Sequence, residues 1–383
     1  MAAIHLPRTI RIGGGVLDEL PEVLAAAGLS RPLIVTDSWM YSSGLLDRVE
    51  SLLVAAGMAA RSFTGVVPDP TVASIEEACA FLAGGAHDCV IGLGGGSPID
   101  SAKMVAVKRD RNIRELKSPH QEDAPGLPII AIPTTAGTGS EATRFTVITD
   151  AETDEKMLCA GLAYLPTIAL VDFELTLSKP LRLTADTGID SLVHAVEAYV
   201  SKRANPFADT MALSAMRLIW PNLPRACSDP QDRAAREALM LGALQAGIAF
   251  SNSSVALVHG MSRPIGAHFH VSHGLSNAML MPAVTQWSAP AALPRYAVCA
   301  RAMGLADDVE ADQSAVARLV EALHQINAEL AVPSPRDYGI DPDRWGELIP
   351  LMAQQALASG SPANNPRLAN AAEIEALYRQ AWS

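Results

Sequence analysis

Asp190 and His194 stand four positions apart in Thr187-Gly188-Ile189-Asp190-Ser191-Leu192-Val193-His194. On a helix that spacing stacks a carboxylate and an imidazole on one face, where both can turn toward a single cation. The pair alone has a second reading, a buried hydrogen-bonded couple on a helix packed by Leu192, Val193, Val196 and Tyr199. The stretch Val258 to Gly274 shifts the balance: His259, His268, His270 and His273, four of the nine histidines, sit there in mostly apolar surroundings. One carboxylate with several imidazoles suits Fe2+, Zn2+, Mn2+ or Ni2+. An ion so held is a Lewis acid toward an oxygen ligand.

Two glycine-rich segments could meet phosphate. Gly94-Gly95-Gly96-Ser97-Pro98-Ile99-Asp100-Ser101-Ala102-Lys103 follows a buried strand and opens a helix. Glycines there let backbone amides approach an anion closely, and the helix N-terminus adds partial positive charge. A bare strand-to-helix turn is the plainer alternative. Pro133-Thr134-Thr135-Ala136-Gly137-Thr138-Gly139-Ser140-Glu141 follows the next apolar strand, and two such loops at neighbouring carboxyl ends of a sheet define a ligand crevice. No G-x-G-x-x-G follows the early Ile34-Val35 strand, so this is not an ordinary dinucleotide fingerprint. Asp37 nevertheless ends that strand. There it either accepts from an adenosine ribose, favouring NAD over NADP, or caps a helix.

The elements that must carry these groups divide in two. At 383 residues the chain exceeds one ordinary core, and the predicted boundary separates 1–177 from 178–383. The first part alternates short apolar strands (Pro32 to Thr36, Asp88 to Leu93, Leu127 to Ile132) with helical segments (Leu45 to Ala56, Val72 to Leu82), the pattern of a parallel α/β sheet. Beyond Leu175 long helical patterns dominate: Thr184 to Ser201, Pro206 to Ala226, Arg233 to Phe250, Gln313 to Leu330 and Ala371 to Trp382. The second domain is therefore expected to be all α. A formal charge of -12 without a basic run argues against nucleic acid or an anionic membrane as partner. With no apolar span of membrane length and no signal-peptide layout at the N-terminus, a cytoplasmic protein is expected. Five scattered cysteines without C-x-x-C spacing read as reduced thiols.

In combination these motifs resemble the iron-containing (group III) alcohol dehydrogenases over nearly the whole chain. The matching residues are Gly94 to Lys103, Pro133 to Thr143, Thr187 to Glu197, His259 to Gly266, His273 to Ala278, and Asn365-Pro366-Arg367 before a terminal helix. The resemblance implies an α/β nucleotide-binding domain with a parallel sheet, a helical C-terminal domain, and a cleft between them. It implies a divalent metal, Fe2+ or else Zn2+ or another divalent ion, on Asp190, His194, His259 and His273. It further implies NAD at Gly95, Gly96, Ser97 and Asp100, with Thr134, Thr135 and Thr138 lining the channel. Lys156 is expected at a cofactor ribose, Leu175 near the nicotinamide and Asp69 beside the adenosine. The implied activity interconverts an alcohol and an aldehyde or ketone by hydride transfer, with a small-molecule substrate and a homodimer. The segment Arg8 to Gly15 reads as an N-terminal strand and turn, which in relatives pairs across a dimer axis.

One departure stands out. Many relatives have a second histidine four residues after the third ligand, and here that position is Arg263. A guanidinium cannot act as a base near neutral pH, which leaves His268 and His270, read as lying in a non-helical stretch, or the cofactor ribose as a proton path. For both histidines the plainer role is to satisfy nearby backbone. Arg263 itself either pairs with a carboxylate or phosphate on the substrate or forms a structural salt bridge. An anionic substrate would suit a maleylacetate-reductase-like enzyme that dispenses with metal, but there the first ligand position is typically asparagine, not aspartate. A dehydroquinate-synthase-like lyase shares the architecture, and its phosphate-binding constellation is not found.

Overall fold

The apolar runs of the N-terminal half pair into one parallel sheet. The structure, a computed structural model, describes residues 2–153 and 155–383; Met1 and Asp154 lie outside it. The strands are β1 (Thr9–Ile12), β2 (Pro32–Asp37), β3 (Arg61–Val66), β4 (Cys89–Gly94), β5 (Ile129–Pro133) and β8 (Ile168–Val171), in the order β1-β8-β5-β4-β2-β3. Every neighbouring pair runs parallel. Alternate side chains of the central strands enter two apolar layers. Ile34, Ile91, Leu93, Ile130 and Ile132 pack with Leu20 and Leu24 of α1 (Leu20–Ala26) and Val49 and Leu53 of α3 (Leu45–Ala55). Leu33, Val35, Val90 and Ile129 face the other way, onto Ile75 of α4 (Val72–Ala83) and Ala102 of α5 (Gly96–Val107). Both faces of the sheet are thus covered, as strands that read as continuous apolar runs require. A short helix, α2 (Ser38–Ser42), follows β2. Strands β6 (Phe145–Asp150) and β7 (Glu155–Ala160) form an antiparallel hairpin that was not anticipated from the sequence. β1, expected as an N-terminal strand, lies at the edge of the chain's own sheet and pairs with β8.

By internal contacts the chain divides into two compact units, His5–Ser178 and Lys179–Ser383, the latter with the first few residues of the chain. Among the described residues the second unit contains helices without strands: α6 (Leu181–Val200), α7 (Pro206–Ser228), α8 (Arg233–Asn252), α9 (Leu257–Phe269), α10 (His273–Ser288), α11 (Leu293–Ala302), α12 (Asp312–Glu329), α13 (Pro342–Ala358) and α14 (Ala371–Gln380). From Thr184 onward α6 is buried at nearly every position, packed by α7, α8 and α10. The non-helical reading of the stretch holding His268 is corrected: α9 continues to Phe269, and His270 ends it in the left-handed conformation (φ 54°). Gly260, Pro264 and Gly266 made the segment look broken, but its apolar residues are buried in tertiary contacts that outweigh local propensity. Among the described residues no single helix is long and apolar enough to cross a membrane.

A buried ammonium ties the first unit together. Lys103 of α5 is fully buried, and its Nζ donates to Thr143 O at 3.0 Å, Thr143 Oγ1 at 3.1 Å and Phe145 O at 2.7 Å. Burial pulls its pKa from 10.5 to about 8 against the opposing charges of Asp100 and Glu141. Burial likewise raises Glu141 from 4.5 to about 7, while its own backbone hydrogen bond and Lys103 pull it down. A carboxyl that holds its proton more tightly when folded stabilises fully below its unfolded pKa and loses that contribution as pH rises through the folded one. Relative to Glu141→Gln, the wild-type thermal midpoint should therefore fall between pH 4.5 and about 7. A constant difference across that window in paired melting curves would show that Glu141 titrates normally.

Candidate metal centre

Three helices bring the predicted ligands to one point. Asp190 and His194 project from one face of α6, His259 from the first turns of α9, and His273 opens α10. From Asp190 Oδ1 the distances to Nε2 of His259, His273 and His194 are 3.5, 3.8 and 3.9 Å. One donor atom from each of the four residues lies within 4.8 Å of the others. Asp190, His194 and His259 are buried, whereas the His273 side chain keeps 39% of its exposure. Gly274 is needed for this approach, since a Cβ there would lie 2.4 Å from Asp186 O of α6. The rings are ordered by packing: His194 stacks on Phe250 at 4.3 Å and on His259 at 4.5 Å.

The four groups act strongly on one another's charge. Burial is the largest influence on Asp190 and opposes its charge, yet His194, His273 and His259 together hold its carboxyl well below the usual range. Burial likewise lowers His259, but hydrogen bonds and charges from Asp190 and Glu197 outweigh it and raise the pKa. Metal bonds of about 2.0–2.2 Å from N and O donors require ligand atoms roughly 3–4 Å apart, which the separations from Asp190 satisfy. One participant was missed from the sequence. Asn277, four residues after His273 on α10, places Nδ2 2.6 Å from Asp190 Oδ1 and 3.3 Å from Nε2 of both His259 and His273. Its own Oδ1 is buried without a hydrogen-bond partner among the described residues. The i, i+4 spacing from His273 was the available signal.

The three remaining candidates of this unit are placed differently. His268 points to α13, where Nε2 meets Gln355 Oε1 at 2.8 Å. His270 is exposed at the end of α9. Arg263, one turn beyond His259, is half-buried and donates through Nη1 to Ser361 Oγ at 3.1 Å. It makes no ion pair among the described residues, so of its two readings the structural salt bridge is not found there. Burial pulls its pKa to about 10 against the charge of Glu197, leaving it a cation at neutral pH.

In the first unit the two predicted loops lie side by side, after the neighbouring strands β4 and β5. A Cβ on Gly96 would come within 3.0 Å of Thr138 Cγ2, and one on Gly95 within 3.5 Å of Thr135 Oγ1. Gly95, at the N-cap of α5, offers no side-chain cap, and Ser97 sits in the first turn, so the first amides of a 12-residue helix are left for other acceptors. Asp100 clamps the loops, accepting from Ser140 Oγ at 2.6 Å and Val147 N at 2.8 Å. Thr134 Oγ1 is buried without a hydrogen-bond partner among the described residues. Asp37 caps α2, accepting from Trp39 N and Met40 N. Lys156 Nζ is ion-paired with Asp69 at 2.9 Å, and Leu175 lies in the apolar layer with Leu17 and Leu170.

Residues 7–173 match the iron-containing alcohol dehydrogenase model, and residues 184–382 match that of the C-terminal part of the Fe-containing alcohol dehydrogenase family. The chain belongs to the iron-containing alcohol dehydrogenase family. It is similar to lactaldehyde reductase of Escherichia coli (strain K12), at 34% identity over 382 residues and 98% of each chain. It is also similar to long-chain-alcohol dehydrogenase 1 of Geobacillus thermodenitrificans, at 37% identity over 390 residues, covering 100% of this chain and 97% of the relative. The crystal structure of a 1,3-propanediol oxidoreductase superposes with a TM-score of 0.95 at 33% identity over all of both chains. As a member of this family the chain is an oxidoreductase that interconverts an alcohol and a carbonyl compound with a nicotinamide cofactor. Alcohol and aldehyde oxidoreductases thus stand where the maleylacetate-reductase-like and lyase readings would need other relatives.

If the four donors share an ion, Asp190→Asn should lower the affinity for Co2+ or Zn2+ by roughly 100-fold or more, beyond the loss typical of an outer partner. Its metal-free unfolding midpoint should shift by a few degrees at most. Competition against a chromophoric chelator measures the first and calorimetry the second; an unchanged affinity would remove Asp190 from the ion.

Proposed function

We propose that Asp190, His194, His259 and His273 hold a divalent ion, Fe2+ or in its place Zn2+, in an NAD(H)-dependent oxidoreductase acting on a small alcohol and its aldehyde or ketone. The observation that carries this is the convergence of one carboxylate and three imidazoles from α6, α9 and α10. When bound, the ion supplies Lewis acidity toward a substrate oxygen and the nicotinamide supplies or accepts the hydride. Asp190 is the one anion among the four ligands, so a divalent ion keeps a net positive charge within the set. Imidazole and carboxylate donors admit several first-row ions and do not select among them.

Gly95, Gly96 and Ser97 would offer backbone amides at the N-terminus of α5 to the cofactor pyrophosphate. Asp100 holds that turn against the Thr134, Thr135 and Thr138 loop. NAD is preferred to NADP because Asp37 uses Oδ1 in the α2 cap and can direct Oδ2 to ribose hydroxyls, where a 2′-phosphate would be repelled. Asp69 and Lys156, ion-paired with each other, would meet the adenosine and ribose as one unit. Leu175 would offer an apolar surface to the nicotinamide. His268 and His270 are not carried forward as proton carriers, since one is bonded to Gln355 and the other is exposed at a helix end. Arg263 is a cation at neutral pH and would favour a substrate with an anionic substituent. The reading includes a cytoplasmic enzyme working as a homodimer, for which the edge strand β1 offers a pairing surface.

Metal-replete enzyme should oxidise NADH with short aldehydes, and thorough chelation should abolish turnover until the ion is restored. Turnover indifferent to chelation would overturn the metal assignment. With Arg263→Ala, kcat/KM should fall more for an anionic aldehyde than for a neutral one of equal length; equal losses in steady-state assays would remove Arg263 from the substrate.

A further inference from the structure

The helix that carries two of the ligands carries a third ionisable side chain on the same stripe. Asp190, His194 and Glu197 are spaced i, i+4, i+7 on α6, and all three are buried. Glu197 does not join the four-residue cluster. It reaches α9 instead, where Oε2 accepts from Ala256 N at 2.8 Å and lies 2.7 Å from His259 Nδ1, and Oε1 accepts from Val258 N at 2.6 Å. Ala256, the residue just before α9, stands at its N-cap and has no side chain able to cap it. The first amides of a helix lack partners within it. Glu197 therefore does from another helix what a local Ser or Asp does at most N-termini.

The third contact bears on the ion. An imidazole Nδ1 facing a carboxylate that already accepts two amides must donate, so the proton sits on Nδ1 and the lone pair on Nε2. That Nε2 is the atom 3.5 Å from Asp190 Oδ1. A ring that turned over would present Cε1–H to the ion and one that changed tautomer would present Nε2–H; the Glu197 contact opposes both. A carboxylate behind an imidazole also makes the ring a stronger donor. Glu197 would stand outside the four-ligand set, its charge acting on a divalent ion only through the His259 ring, with Asp190 the one anionic ligand.

We propose that Glu197 is a positioning residue of the metal centre, fixing His259 as an Nδ1–H, Nε2-ligating imidazole and thereby setting the affinity and Lewis acidity of the bound ion. The proposal rests on the metal reading given above. It distinguishes Glu197→Gln from Glu197→Asp. The glutamine oxygen can still accept from a backbone amide, but its NH2 group cannot accept the Nδ1 proton, whereas the aspartate keeps an acceptor of the right charge on a shorter arm.

The test uses the full-length chain with Co2+ as the probe. Glu197→Gln should weaken Co2+ binding by roughly 10- to 100-fold and change the visible absorption of the bound Co2+. Glu197→Asp should lose less. If Glu197→Gln lowers the thermal midpoint of the metal-free protein but leaves the Co2+ affinity and spectrum as in wild type, Glu197 is a helix cap alone and the proposal fails. Should neither variant fold, histidine side-chain 15N NMR of the metal-free wild type, recorded at a pH where the His259 ring is neutral, decides: a proton on Nδ1 alone supports the proposal, and a proton on Nε2 alone overturns it. A wild-type chain that binds no Co2+ is seen before any variant is made; it overturns the metal reading, and this proposal with it.

Discussion

A buried carboxylate must be answered by positive charge or by enough donors to replace water. Asp190 is 2% exposed, and its neighbours are three imidazoles and one amide rather than an arginine or a lysine. With neutral rings nothing among them cancels its charge; the divalent cation proposed here would do so while using the lone pairs that the rings hold out. The helical unit is arranged around that requirement. α6 is buried along most of its length, α9 and α10 present the histidines near their N-terminal ends, and Gly274 removes the side chain that would hold α10 away from α6.

The first unit solves the opposite problem. There the buried ion is an ammonium, Lys103, and it meets three oxygen acceptors with Asp100 and Glu141 close enough to act on its charge. These contacts bind the loop after β5 to the helix after β4, which keeps the glycine turn and the threonine loop in register. Asp100 does the same through Ser140 and Val147. The polar core beneath the loops thus leaves the amides at the start of α5 directed outward from a fixed backbone.

Much of this was legible in the sequence because it follows from short-range periodicity. The strands at Pro32, Asp88 and Leu127, the glycine turns after two of them, and the Asp190/His194 face of α6 all rest on local patterns. What was lost depended on contacts between distant segments. α9 was hidden by Gly260, Pro264 and Gly266, whose punctuation is overridden by burial. The Lys156 to Asp69 ion pair joins a hairpin to a loop far earlier in the chain, and no spacing rule connects them. Asp37 left two readings open, and the capping one is realised in the α2 hydrogen bonds without closing the other. Glu197 lay within the very motif that drew notice, but its meaning depends on where α9 crosses α6, which a single helix does not encode.

The order of the ligands along the chain has a consequence for assembly. Asp190 and His194 become neighbours as soon as one helix forms, so on the proposed metal reading a cation would first meet two groups only, held weakly and with rapid exchange. His259 and His273 emerge later, on helices that must dock before they reach the same point. On the proposed metal reading, a nascent chain would sample and discard ions before closure, and tenacious retention would belong to the finished tertiary structure, acquired last.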